Sequence, residues 1–130
     1  MNSAQKGNHA ELLFCAEAGA RGYGIYAPWG GDQKVDVCLS NPKGGYIGVQ
    51  VKRACLSTTS PGYYKVNTAS RSSGLYEGNA FDVLAAYLPD INEFVFWHID
   101  EIRQYGQISY SPKKHRKPGN WQLLEELVAA

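Results

Sequence analysis

VDVCLSNPKGGYIGVQVKR, Val35 to Arg53, reads as two β-strands joined by a turn. NPKGG, with proline and two glycines, is the turn; the alternating residues on either side are the strands. Side chains alternate faces along a strand. Ile47, Val49 and Val51 therefore share one face, and Tyr46, Gly48, Gln50 and Lys52 share the other. In the first strand Val35, Val37 and Leu39 lie opposite Asp36 and Cys38. Each strand thus has an apolar face and a mixed one. A turn centred near Lys43 and Gly44 sets Asp36 across from residues 50 to 52, with allowance for a bulge. Directly opposed Cβ atoms are ~5 Å apart, so Asp36, Gln50 and Lys52 converge. That spacing suits one metal ion or one phosphate. The competing reading is a cross-strand ion pair between Asp36 and Lys52, worth a few tenths of a kcal/mol, roughly. Gly48 on the same face, and the glycine-rich PWGGDQK before it, leave room for something to approach.

Outward from this segment the chain alternates short elements. GNHAELLFCAEAGARG (7–22) is expected to be a helix with Asn8 as cap and Gly19 or Gly22 at its end. YGIYAP is a short strand, WGGDQK a loop, and YIGVQVKRA the longer strand of the opening pair. STTSPG is a loop, YYKVN a strand, and TASRSSGLYEGN (68–79) a polar loop. FDVLAAYL and EFVFWHI are strands of a hairpin turned by PDIN. DEIRQYG is a short helix capped by Asp100, QISYS a strand, PKKHRKPG a basic loop, and NWQLLEELVAA a helix capped by Asn120. Helices at both ends with strands between them give a mixed α/β (α+β) domain, with residues 1–130 as one unit.

Composition narrows the function. The chain has 130 residues, a size that fits a single core. Thirteen basic against 12 acidic residues leave a net charge of +1, so any nucleic-acid surface must come from local clustering. Cys15, Cys38 and Cys55 are odd in number and show no CxxC spacing; reduced thiols are expected rather than a zinc site or a disulfide framework. The N-terminus lacks the form of a signal peptide, and no apolar run approaches the ~20 residues that span a membrane. No internal repeat is evident, and a cytoplasmic location is expected.

The ordered set of short motifs resembles the PD-(D/E)XK nuclease superfamily, and within it the group I intron-associated homing endonucleases. The resemblance rests on KGN…E (Lys6 to Glu11), RGY (Arg21 to Tyr23), GDQKVD (Gly31 to Asp36), VQVK (Val49 to Lys52) and YEGNAFDVLAAYLPD (Tyr76 to Asp90). It covers roughly residues 6 to 105. It implies a restriction-endonuclease-like core, a central mixed β-sheet flanked by helices. It implies a metal-dependent endonuclease that hydrolyses DNA phosphodiester bonds, with Mg²⁺ as cofactor and Mn²⁺ as substitute. Asp36 would be the central metal ligand, Gln50 would hold the position usually given to Asp or Glu, and Lys52 would be the motif lysine. Glu11 would be the helix glutamate that completes the site, and the Val51 carbonyl a further ligand. The chain departs from the superfamily pattern at Gln50, at Val35 in place of proline before Asp36, and in lacking a clear helix after the motif strand.

The rivals are a Holliday-junction-resolvase-like or repair nuclease, an inactive DNA-binding module on the same fold, and a protein-binding domain. Glu11 has a second reading, since Asn8 and Glu11 stand at capping-box spacing. Asp82 is a strand-start residue or a supporting one. Asp32 is a loop residue, and His98, between Trp97 and Ile99, a structural histidine. The basic run Lys113, Lys114, Arg116 and Lys117 would grip phosphates of double-stranded or branched DNA or lie as a solvated loop. Lys34, Arg53, Lys65 and Arg71 could extend its surface, and Tyr63 and Tyr64 could touch a DNA backbone. A chain this short would need a homo-oligomer, a dimer or tetramer, to read a long site.

Overall fold

In the computed structural model, residues 1–29, 35–70, 74–75 and 80–129 are described. The first helix, α1 (Ser3–Ala20), begins well before the expected start, because Asn2 and Gln5 form a reciprocal capping box. Asn8 is therefore an interior residue and caps nothing. The helix ends as expected at Gly22, whose φ of 93° suits glycine. Gly22 N–H bonds to the Gly19 carbonyl and Tyr23 N–H to that of Ala18, the paired bonds of a Schellman ending.

Strand β1 (Gly24–Tyr26) leads to β2 (Val37–Ser40) and β3 (Tyr46–Arg53). After Ala54 come β4 (Cys55–Leu56), β5 (Tyr64–Asn67), and the small pair β6 (Ala69–Ser70) and β7 (Gly74–Leu75). That pair corrects the expectation of a plain loop over 68–79. The hairpin β8 (Val83–Leu88) and β9 (Glu93–His98) follows, then α2 (Ile99–Ile102), β10 (Gln107–Tyr110) and α3 (Gln122–Ala129). The cap of α2 is His98 rather than Asp100: its Nδ1 accepts the Asp100 N–H, and Glu101 returns a bond to the His98 N–H. The start of α3 at Gln122 puts Trp121, not Asn120, at the cap position.

The central sheet has the order β1-β2-β3-β8-β9 and is mixed, since β3 runs parallel to β8 and every other pair is antiparallel. A parallel pair needs a crossover, usually a helix. Here the crossover contains β4 and β5, which join β10 in a three-stranded sheet of order β10-β5-β4. One face of the central sheet is sealed by Phe14 of α1 together with Trp121 and Leu124, against Val49, Ala85 and Phe96. On the other face, Tyr64, Val66, Tyr110 and Ile102 close over Leu84, Ala86, Val95 and Trp97. All six residues of β8 are buried. Among the described residues, no helix is long and apolar enough to cross a membrane.

Candidate active site

Among the described residues, the core under the second layer is built on β8 and β9 and takes no buried residue from β2 or β3. The observed register pairs Val37 with Val49 and Leu39 with Ile47, and the Asp36 N–H also bonds to the Val49 carbonyl, one residue out of that register, as at the bulge that was allowed for. On β3, Ile47, Val49 and Val51 are buried under α1 and its neighbours, while Gln50 and Lys52 face the other way, half-buried. β2 begins at Val37, so it offers no ladder partner to the Val51 N–H. The carboxylate of Asp36 takes that place: Oδ2 accepts the Val51 N–H at 2.8 Å and Gln50 Nε2 at 3.0 Å. Two donors on one oxygen, Oδ2, fix the orientation of the carboxylate. Main-chain N–H and C=O groups of one residue face the same neighbour in an antiparallel pair. The Val51 carbonyl therefore lies on the side where β2 has ended.

These residues line an open cleft of about 770 Å³. Its walls include Lys6 and Glu11 from α1, Asp36, then Gln50 through Arg53, and Asn67 of β5. The longer α1 matters here. With the capping box at Asn2, Glu11 sits in the third helical turn and is free of capping duty. Burial and the nearby Asp36 charge both push the Glu11 carboxyl above its usual range. Burial likewise raises Asp36, against the Val51 N–H and the Lys52 ammonium, which pull it down. Cys15, one turn beyond Glu11, has its thiol raised by burial and by the same two carboxylates. Two carboxylates that line one half-buried cleft would be favoured there by a nearby cation.

Among the described residues, no group of three or more His, Cys, Asp or Glu side chains gathers at metal-binding distance. Hard oxygen donors at the cleft are Asp36, Glu11, Gln50 Oε1 and the Val51 carbonyl. Two charges and two neutral oxygens suit a hard divalent cation that keeps part of its water shell.

Other sequence-selected residues lie elsewhere. Gly48 leaves no space for a ligand: a Cβ there would stand 3.2 Å from Val35 Cγ2 and 3.7 Å from Asp82 Oδ2. Asp82 clasps β3 to β8. Its carboxylate accepts the Gly48 N–H at 2.8 Å, and its own N–H donates to the Gly48 carbonyl at 2.9 Å. His98 is the α2 cap described above. Tyr64 is buried with its hydroxyl on Asp90, which removes it from any DNA surface. Tyr63 lies beneath the Lys114 ammonium, 5.6 Å from the ring centroid. Lys113, Lys114 and Lys117 are exposed on the 112–119 loop, which lies outside the cleft lining. Arg116 is engaged within the fold, with both oxygens of Glu101 at 2.9 and 3.0 Å and with the Phe96 carbonyl. Lys34, Asp32 and Arg71 fall outside the described residues. Lys6 is the cleft cation that sequence reasoning passed over as a ligand; its place in KGN…E, one turn before Glu11, was the available signal.

Comparison with known proteins agrees with this geometry. The model of the PD-(D/E)XK endonuclease family matches residues 1–125. A solved structure described as a bacterial homing endonuclease, I-Ssp6803I, superposes with a TM-score of 0.82 at 26% identity, over 99% of this chain and 97% of that one. No curated protein matches.

Proposed function

Because the chain belongs to the PD-(D/E)XK endonuclease family, we propose that its cleft hydrolyses phosphodiester bonds of double-stranded DNA in the manner of a homing endonuclease, with Mg²⁺, or Mn²⁺ in its place. The observation that carries the reading is the convergence of Asp36, Gln50 and Lys52 on one polar strand face, with Glu11 opposite. Asp36 Oδ1, Glu11, Gln50 Oε1 and the Val51 carbonyl would hold the cation. When bound, it supplies Lewis-acid stabilisation of charge on the phosphoryl group and lowers the pKa of a coordinated water.

The chain's own residues do the rest. Val51 N–H and Gln50 Nε2 hold the Asp36 carboxylate in one orientation, so no reorganisation is needed when charge develops. Lys52, beside Asp36, places an ammonium where the attacking water and the non-bridging phosphate oxygens meet. It orients the one and neutralises the other. Lys6 and Arg53 at the cleft wall position adjoining phosphates. A homo-oligomer would let so small a chain engage both strands of a long site.

The test is cleavage of supercoiled plasmid and of a four-way junction with Mg²⁺ or Mn²⁺, beside Lys52→Ala. Metal-dependent cutting of plasmid that vanishes in the variant supports the reading. Preference for the junction would favour a resolvase-like activity. Salt-sensitive binding without cutting by the wild type would reduce it to a DNA-binding module.

A further inference from the structure

The polar face of β3 does not end at Gln50. Directly paired residues share a face, and the pairs Tyr26–Cys38, Cys38–Gly48 and Ser40–Tyr46 carry the face of Asp36 and Gln50 across β2 to β1. Among the described residues, the core that seals β8 and β9 takes no residue from β1 or β2, with Val35 at its edge beside Gly48. At the far end Tyr46 is 70% exposed and Tyr26 53%, with ring centroids 6.1 Å apart at 63°. Trp29, 99% exposed, follows β1, and Lys43 stands exposed on the adjoining turn. Two exposed tyrosines on one strand face, with an exposed tryptophan and lysine in the adjoining segments, form an open aromatic patch.

We propose that Tyr26 and Tyr46 are a second contact for the DNA substrate, holding the duplex that runs on from the phosphate at Asp36. This rests on the nuclease reading. Four residues of strand separate Gln50 from Tyr46, about 13 Å. That equals about four base pairs at 3.4 Å each. A duplex with one phosphate in the cleft therefore reaches the tyrosine pair if its axis follows β3. Tyrosine suits such a contact, because the ring packs on sugar or an unstacked base while the hydroxyl donates to phosphate. The ends of the strip are basic, with Lys43 at one and Lys6, Lys52 and Arg53 at the other. A second copy of the chain is the poorer fit, because β1 has only three residues with which to extend the sheet.

The experiment measures binding of a fluorescein-labelled 30-base-pair duplex in Ca²⁺ across a salt series. Wild type, Tyr26→Ala/Tyr46→Ala, Tyr46→Phe and Lys6→Ala are compared. The double variant should weaken binding about tenfold with an unchanged slope of log K against log salt, since it removes no charge. Tyr46→Phe should recover most of the loss, and Lys6→Ala should lower the slope by about one. Irradiation of a bromouracil-substituted duplex should yield adducts at Tyr26, Trp29 or Tyr46. Wild-type affinity in the double variant, or adducts confined to other residues, overturns the proposal. So does a fall in sedimentation mass as the variant's only change, which would mark the patch as a contact between copies. If wild type itself fails to bind the duplex, the nuclease reading falls and this proposal with it.

Discussion

Strands β3 and β8 lie side by side and run parallel, yet they meet opposite fates. β8 is buried on both faces, between the α1/α3 layer and the small sheet. β3 is buried on one face only, and the other bears Gln50 and Lys52. The difference is set by reach. The small sheet β10-β5-β4 ends at β4, two residues long, and among the described residues its core takes no buried residue from β2 or β3. A polar cluster in the middle of a mixed sheet is thus tolerated where that core stops. Burial of Asp36 and Gln50 there is offset by mutual hydrogen bonds rather than by water alone.

The sharpest test of that contrast substitutes each strand in turn. Lys52→Ala or Asp36→Ala should lower cleavage by about 10³-fold or more while leaving the melting temperature within a few degrees, roughly. Equal losses of activity and stability would mean that the polar face is structural. On β8, Leu84→Ala should cost about 2–5 kcal/mol in chemical denaturation, from lost burial and the cavity left behind. A cost under about 1 kcal/mol there would show that the second layer does not seal β8.

A subtler test uses pH. Glu11 and Asp36 both have carboxyl groups raised above their unfolded values. Their favourable contribution to folding is present below the ordinary carboxylate range and is lost as pH rises through the folded values. Without metal, melting temperature should therefore carry a component that falls from acid toward neutral pH. Mg²⁺ should restore it at neutral pH, and Glu11→Gln should flatten it. A Glu11→Gln profile that overlays wild type would separate Glu11 from the site. Glu101 behaves oppositely. Its bonds with Arg116 hold its carboxyl below the usual range, so that contribution is present above the ordinary glutamate pKa and lost in acid.

Arg116 gives the smallest effect. Arg116→Ala should cost about 1 kcal/mol, since the pair is partly exposed. It should leave the salt dependence of DNA binding unchanged, whereas Lys113→Ala/Lys117→Ala should reduce it if the loop meets DNA. A lower salt slope in Arg116→Ala would make Arg116 a phosphate contact after all.

The residues that converge were legible because strand alternation and a glycine-rich turn constrain each other. Period two fixes which side chains share a face, and the turn fixes which of them oppose. Glu11 was obscured because Asn8 and Glu11 imitate a capping box, while the true one, Asn2 with Gln5, lies a turn and a half upstream. The tie between Arg116 and Glu101 was invisible for another reason. Its partners are 15 residues apart, and a run such as KKHRK looks alike whether its arginine is solvated or bound. The small sheet was hidden too, because strands of two to four residues carry too little pattern to show how they pair.

The long crossover from β3 to β8 has a consequence for the order of folding. β2 and β3 are joined by the five residues Asn41 to Gly45, so the hairpin with Asp36, Gln50 and Lys52 closes locally. Its pairing with β8 must wait for residues 54–82 to be looped back, a closure of higher entropic cost. The chemical groups would meet early, and their support would arrive last. Substituting Gly44, whose φ of 106° favours glycine, should therefore chiefly slow refolding. Asp82→Ala, at the β3–β8 clasp, should chiefly speed unfolding. Stopped-flow measurements that reversed this assignment would place the parallel pair, rather than the hairpin, in the folding nucleus.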